Sequence, residues 1–223
     1  MFVRLEERPR RQWLWATPLA LMLCMGLALW LQLAEAPLRN RVLASYATLP
    51  DQLSLAQPAK LFRLTTAMFL HADWTHLLGN MLFLAIFGVA TERILRGWRW
   101  SLLWLAAGAL ANLGAALMAE NPRAPIIGAS GAVSALIGAY LFLFPRANLG
   151  IMLPLGLYVQ FVRVPALYLL GLWLMLQIML TVGEQSAGVA WSAHVFGFAS
   201  GVTLAWLLRP WVHRRRPNSL PWR

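Results

Sequence analysis

The sequence predicts an all-α polytopic membrane protein with six transmembrane helices. Its composition is the first reason. Of the 223 residues, 60% are hydrophobic and 12% are charged, with a mean hydropathy of +0.60, whereas soluble domains are about 45–50% apolar and about 25% charged. The second reason is a series of long apolar runs. Because one span consumes about 20 residues, the chain has room for roughly five to seven spans and for no large separate soluble domain.

The apolar runs place the elements along the chain. A cytoplasmic tail over 1–12 precedes a membrane domain over 13–208, and a basic cytoplasmic tail over 209–223 follows it. The predicted spans are 13–34, 76–95, 100–118, 126–144, 164–182 and 188–208. The first run is longer than the 7–15 apolar residues of a signal peptide, so we interpret it as a span and not as a cleaved leader.

Two segments between the spans are more than simple connections. Residues 37–75 form the longest polar stretch, and a loop of that length favours internal structure. Residues 147–162 are mostly apolar, but Pro154 and nearby glycines disfavour a continuous helix. We therefore expect 147–162 to be a re-entrant or interfacial segment and not a seventh span.

The basic residues predict the orientation. With six spans, fourteen of the 19 lysines and arginines lie on the side that carries both termini, which makes that side cytoplasmic by the positive-inside rule. Glu92, near the inner face, is expected to pair with Arg93 or Arg96. The net charge of +11 would suit nucleic acid in a soluble chain. Here the basic residues flank the spans without an aromatic-interleaved groove, so we expect lipid contacts and no nucleic-acid partner.

Polar residues near the outer ends of three spans form the candidate site. Span two opens with His76 and Asn80, whose i, i+4 spacing puts them on one helix face. Span four opens with Gly-Ala-Ser-Gly at 128–131, and span six carries His194 in its second turn. The even-numbered spans all run from outside to inside, so these groups lie at one depth. Such groups are costly inside a bilayer, which favours a functional role.

This set of side chains is suited to acyl transfer. A serine hydroxyl such as that of Ser130 becomes an effective nucleophile when an imidazole such as that of His194 takes its proton. The tetrahedral oxyanion then needs preorganised hydrogen-bond donors. No carboxylate lies at this depth, so the pattern predicts a Ser–His dyad and not a triad.

Small residues predict close packing of spans four and six. Gly197 and Gly201 share the histidine's face of span six, and Ser134 and Gly138 lie on the serine's side of span four. Such faces allow two membrane helices to approach closely. Packing alone would also explain the glycine-flanked serine, but its coincidence in depth with a histidine and an amide favours catalysis.

Metal and cofactor chemistry are not predicted. His71 and His76 with Asp73 make a thin ligand set. The single cysteine, Cys24, excludes an intrachain disulfide and a multi-cysteine site. We therefore expect neither a metal ion nor another cofactor.

Three sequence blocks resemble the rhomboid family of intramembrane serine proteases. They are Phe69-Leu70-His71 followed by His76-Leu77, Asn80-Met81 and Phe87-Gly88 through Glu92; Gly128-Ala129-Ser130-Gly131; and Ala193-His194 with Gly197 and Gly201. In this order and spacing the blocks are specific, and the resemblance runs over about residues 61–205. One departure is Phe62 before Arg63, where the family has a Trp-Arg pair.

The resemblance implies a rhomboid-like helix bundle and a role for each motif residue. It implies Ser130 as nucleophile, His194 as base, and His76, Asn80 and the Ser130 backbone N–H as oxyanion donors. It implies motif support from His71, Gly128, Gly131, Gly197 and Gly201. It also implies a hydrophilic cavity open to the outside and a membrane-embedded first loop.

The expected function is cleavage of transmembrane or membrane-anchored proteins near the extracytoplasmic face. The rival interpretation is a non-catalytic rhomboid-like protein that binds membrane proteins or serves their quality control. A small transporter is a third possibility, but its polar sites would lie at the midplane and not toward one face. The expected location is a bacterial inner membrane, with both termini cytoplasmic.

Overall fold

The computed structural model describes residues 13–155, 158–183 and 190–213. Over these ranges the chain is mostly helical. The elements are α1 (Ala16–Leu33), α2 (Ala36–Tyr46), α3 (Arg63–Thr66), α4 (Trp74–Phe83), α5 (Val89–Leu117), α6 (Ser130–Leu143), β1 (Asn148–Leu155), β2 (Tyr158–Pro165), α7 (Ala166–Val182) and α8 (Trp191–His213). The predicted tail over 1–12 and most of the tail over 209–223 lie outside the described residues.

Each predicted span overlaps at least one of these helices, and α5 extends across the predicted boundary between spans two and three. Within the described ranges, the stretches long and apolar enough to cross a membrane are Ala16–Leu33, Trp74–Leu117 and Trp191–Arg209, and the apolar helices α6 and α7 are shorter. The stretch Trp74–Leu117 has 44 residues and breaks at Arg96, where φ is 69° and ψ is 156°. That break lies in the predicted loop between spans two and three. The count of six spans stays a prediction.

Residues 147–162 correct the all-α expectation, because they belong largely to a β-hairpin. Strands β1 and β2 pair antiparallel, with Asn148 opposite Pro165. Valine and aromatic side chains are frequent in β2, and such side chains favour strands. Pro154 disfavours a helix in β1, as expected, and the chain forms an extended strand there instead.

Helix α6 lies at the centre of the molecule and packs closely against α8. Most of its residues are buried. A Cβ atom added to Gly197 would overlap the Gly131 carbonyl oxygen, and one added to Gly201 would overlap that of Ala135. Gly138 likewise has no room for a Cβ beside the α8 backbone. The predicted small-residue interface is therefore formed by backbone-to-backbone contact.

The loop over 37–75 is structured, as expected. It contains α2, α3 and short 3₁₀ turns. The Asn112 amide of α5 donates a 2.8 Å hydrogen bond to the Leu64 carbonyl oxygen, which ties the loop to the bundle. Phe62, which stands in place of the family's tryptophan, packs edge-on against Tyr46 with ring centroids 6.0 Å apart.

A buried carboxylate holds the N-terminus of α1. Glu92 has 0% of its surface exposed. Its two oxygens accept hydrogen bonds from the backbone N–H groups of Trp15, Ala16 and Thr17 at 2.8–2.9 Å. A carboxylate at a helix N-terminus satisfies orphan N–H groups and complements the helix dipole. The sequence suggested arginine partners for Glu92 and did not reveal this capping role.

Candidate active site

One cavity of about 790 Å³ gathers side chains from α4, α6 and α8. Its lining includes His76, Asn80, Gly128, Ser130 and His194. The structure thus brings together five predicted site residues that span more than half of the sequence. Gly131, Gly197 and Gly201 lie at the contact between α6 and α8 behind them.

Ser130 is the first residue of α6, at the helix end that carries unpaired backbone N–H groups. Two residues earlier, Gly128 has a φ of +115°, which side-chain-bearing residues rarely adopt. A Cβ atom at Gly128 would also lie 2.5 Å from Cε1 of His76. This position therefore requires glycine, and its absence of a side chain lets the imidazole lie against the backbone that leads to Ser130.

The segment before Ser130 is held by the loop over 37–75. Ile126 and Thr48 exchange two backbone hydrogen bonds of 2.9 and 3.1 Å, which form an isolated antiparallel bridge. The Gly128 N–H donates to the Ala67 carbonyl oxygen at 2.9 Å. The position of the serine therefore depends on contacts from a loop that is distant in sequence.

His71 also contacts this segment. Its Nε2 lies 3.5 Å from the Ala129 N–H, which donates to it. Its ring meets that of His76 edge-on, with centroids 5.3 Å apart. Burial, with a smaller effect of His76, lowers the pKa of His71 to about 4. His71 is therefore neutral at physiological pH and supports the site by accepting a hydrogen bond.

The predicted oxyanion donors lie on one face of α4. Asp73 caps this helix by accepting the His76 backbone N–H at 2.8 Å. Asn80, one turn further on, is buried, and its Nδ2 has no hydrogen-bond partner in the described part of the chain. An amide N–H that lines the cavity without a partner is a donor ready for an oxygen atom in that cavity.

His194 lies in the first turn of α8 and not in the second, because the helix begins at Trp191. Its Nε2 is buried and has no hydrogen-bond partner among the described residues. The structure therefore brings Ser130 and His194 to one cavity without a hydrogen bond between them. Catalytic hydrogen bonds are often long without substrate and shorten when it binds.

The sequence interpretation missed Gln177, which contacts His194 from α7. Gln177 is 4% exposed, and its Oε1 lies 2.7 Å from Nδ1 of His194. Two features of the sequence point to Gln177: the energetic cost of an amide within a span, and its predicted depth in the membrane. An amide within a predicted span is as costly as Asn80, and the predicted topology directs α7 toward the outer face. The predicted site included polar residues only from spans that begin at that face, and α7 is predicted to end there.

Two tryptophans surround the same imidazole. The Trp173 ring stacks near His194 with centroids 6.3 Å apart, and the Trp191 ring meets it edge-on at 5.7 Å. Trp173 also lines the cavity. Among the described residues, no three His, Cys, Asp or Glu side chains are grouped as a metal site requires. The cavity lining includes serine, imidazole and amide groups, together with the acidic residues Asp73 and Glu120.

Comparison with known proteins gives consistent matches. The Rhomboid domain family matches residues 58–211. "RHOMBOID-like protein 12, mitochondrial" of Arabidopsis thaliana is 33% identical over 165 residues, which are 66% of this chain and 46% of that protein. "Putative rhomboid protease YdcA" of Bacillus subtilis is 39% identical over 82 residues, 37% of this chain and 41% of that protein. "Rhomboid protease GluP" of the same organism is 36% identical over 89 residues, 40% of this chain and 17% of that protein. The matched regions therefore span less than half the length of each of these relatives.

Proposed function

The chain belongs to the rhomboid family, and we propose that it is an intramembrane serine protease that cleaves transmembrane or membrane-anchored proteins near the extracytoplasmic face. The observation that carries the proposal is the shared cavity of Ser130, His194, His76 and Asn80. Two relatives whose names include the word protease support it further.

In the proposed first half-reaction, Nε2 of His194 takes the hydroxyl proton of Ser130 as Oγ attacks the scissile carbonyl carbon. The resulting oxyanion accepts hydrogen bonds from Asn80 Nδ2, the His76 imidazole and the Ser130 backbone N–H. The imidazolium then protonates the leaving amine as the C–N bond breaks. An acyl-enzyme ester on Ser130 remains.

The second half-reaction reverses these roles with water. His194 takes a proton from a water molecule, whose oxygen attacks the ester carbonyl. The same donors stabilise the second oxyanion. When the intermediate collapses, the proton returns to Ser130 and the new carboxyl terminus leaves. The dyad is regenerated without a metal or another cofactor.

The proposed substrates are segments that unwind near the outer face. A transmembrane helix has its backbone groups hydrogen-bonded to one another. Its scissile bond must leave that arrangement before Ser130 can reach it. Glycine or proline disfavours the helix by about 1–3 kcal/mol relative to alanine. Segments with these residues in their outer turns are therefore the preferred substrate class.

The test is covalent labelling of the detergent-purified full chain with a fluorophosphonate. The protease interpretation requires that the wild type is labelled on Ser130, as located by mass spectrometry, and that Ser130→Ala is not. A folded wild-type protein that remains unlabelled, and that cleaves no transmembrane substrate, would support the rival interpretation of a non-catalytic binding or quality-control factor.

The protein is an integral membrane protein, as its family and its long apolar helices show. We place it in a bacterial inner membrane with cytoplasmic termini as a proposal. The supporting observation is the strong bias of basic residues to one side. Relatives occur in Bacillus subtilis and, by name, in plant mitochondria and chloroplasts. Fractionation of the native host tests the compartment.

A further inference from the structure

The hydrogen bond between Gln177 of α7 and His194, the candidate base, has a defined donor and a defined acceptor. An amide oxygen accepts hydrogen bonds and does not donate them, whereas a neutral imidazole carries one N–H and one lone-pair nitrogen. Oε1 of Gln177 lies 2.7 Å from Nδ1 of His194. With the amide in this orientation, Nδ1 is the donor that carries the hydrogen atom, and Nε2 carries the lone pair.

The other imidazole nitrogen has the complementary environment. Nε2 of His194 is buried without a hydrogen-bond partner in the described ranges. The residue lines the cavity that also holds Ser130. In the opposite tautomer Nε2 would carry a hydrogen atom and would be unable to accept the serine proton. The tautomer that Gln177 selects is the one that general-base catalysis needs.

The same face of α7 also restrains the ring. Trp173 precedes Gln177 by one helical turn, so both side chains project from one side of α7. Its ring stacks near that of His194, while the Gln177 oxygen meets the edge of the imidazole. One residue limits tilting of the imidazole and the other limits its rotation.

Because both side chains are buried, loss of this contact would leave polar groups without partners. Gln177 is 4% and His194 is 9% exposed, and an unpaired polar group at such a buried position is destabilising. The amide and the imidazole thus each satisfy a group that would otherwise be buried without a partner. A leucine at position 177 would keep the packing but would remove the acceptor.

We propose that Gln177 is a positioning residue that holds His194 in the Nδ1–H tautomer with Nε2 available to Ser130. The inference deepens the proposed protease function and rests on it for its catalytic meaning. The Gln177 amide takes the place of the carboxylate in a serine-protease triad, but it adds no negative charge. It orients the base, and its neutral oxygen stabilises the imidazolium less than a carboxylate would.

The decisive measurement is ¹⁵N NMR of histidine-labelled full chain in detergent. The four histidines are few enough for the His194 signals to be assigned by their loss in His194→Gln. We expect a protonated Nδ1 and an unprotonated Nε2 in the wild type. We expect the mixed tautomers of a free imidazole in Gln177→Leu. A protonated Nε2 in the wild type would overturn the inference.

Labelling kinetics give the functional readout. Fluorophosphonate labelling of Ser130 should slow by about 10²-fold in Gln177→Leu, within the range that a general base contributes. Gln177→Glu restores an acceptor and adds a charge that stabilises the imidazolium. It should therefore recover labelling and move the acidic limb of the pH–rate profile to higher pH. In the described part of the chain, the other titratable residues that line the cavity are His76, Asp73 and Glu120, and all three are unchanged in both variants.

Leu170→Ala is the matched control, because Leu170 is a buried apolar residue of α7 without a polar contact to His194. It should lower the thermal unfolding temperature and leave the His194 tautomer unchanged. Wild-type labelling rates in Gln177→Leu, or a slowing in Leu170→Ala as large as that in Gln177→Leu, would refute a positioning role. A wild type that never labels would refute the protease proposal, and the NMR result would still decide the tautomer.

Discussion

Ser130 and His194 act on the same proton in the proposed mechanism, so their effects are not additive. Ser130→Ala removes the covalent route, and His194→Ala leaves the hydroxyl without a base. Each should reduce cleavage of a transmembrane substrate in proteoliposomes to background, and the double variant should be scarcely worse. Wild-type cleavage by purified Ser130→Ala, with contaminating proteases excluded, would end the dyad hypothesis.

Asn80 is expected to contribute less than the dyad, because it is one of several oxyanion donors. Asn80→Ala should slow cleavage by about 10²- to 10³-fold and leave a measurable rate. Cys24→Ala is the control, since Cys24 is buried in the core and does not line the cavity. If Asn80→Ala proved as inactive as Ser130→Ala while folded, Asn80 would need a larger role than that of one donor.

The lowered pKa of His71 predicts how the free energy of unfolding depends on pH. Its pKa is about 4 in the folded protein, against an ordinary value of 6.5, so the folded state favours neutral imidazole. The stabilisation is complete above pH 6.5 and decreases as the pH falls toward 4, by up to about 3 kcal/mol. As the pH is lowered from 7 to 4, the thermal unfolding temperature of His71→Gln should therefore fall less steeply than that of the wild type. Parallel curves for both proteins would contradict the prediction.

At the scale of elements, the contact between α6 and α8 tolerates no additional side-chain atoms. A Cβ on Gly201 would overlap the Ala135 carbonyl oxygen, which belongs to the backbone and cannot turn away. Gly201→Val should destabilise the protein by about 1–3 kcal/mol and slow labelling of Ser130. Gly26→Ala is the control, because nothing lies within 4 Å of its added Cβ. Equal thermal stability of both variants would argue against this tight interface.

The elements that sequence reasoning predicted well are those whose signal is a long apolar run. The alternating direction of the predicted spans also predicts that His76, Ser130 and His194 lie at one depth, and all three line one cavity in the structure. The hairpin was missed because apolar length alone does not separate a strand from a helix. The partners of Gln177 and Glu92 were missed for another reason. Each finds its partner through tertiary contacts, and those partners lie 17 and at least 75 positions away in the sequence.

For the whole molecule, the main prediction concerns topology. Reporters fused after Arg146 and after Arg216 should both show a cytoplasmic location, while a reporter at Pro122 should show the outside. The physical reason is the excess of basic residues on the side of both termini. Opposite locations for the first two reporters would overturn the six-span arrangement. A matching result would also place the hairpin on the cytoplasmic side, since it follows Arg146 directly.

The bridge between Thr48 and Ile126 has a pharmacological consequence. The loop that holds the nucleophile's backbone is continuous with α2, in which no residue is buried. A macromolecule that bound this exposed surface and displaced Thr48 would loosen the segment before Ser130 without entering the cavity. Inhibitors of the proposed protease activity therefore do not have to resemble a peptide or react with serine. An antibody fragment raised against the loop would slow the proposed cleavage without occupying the cavity.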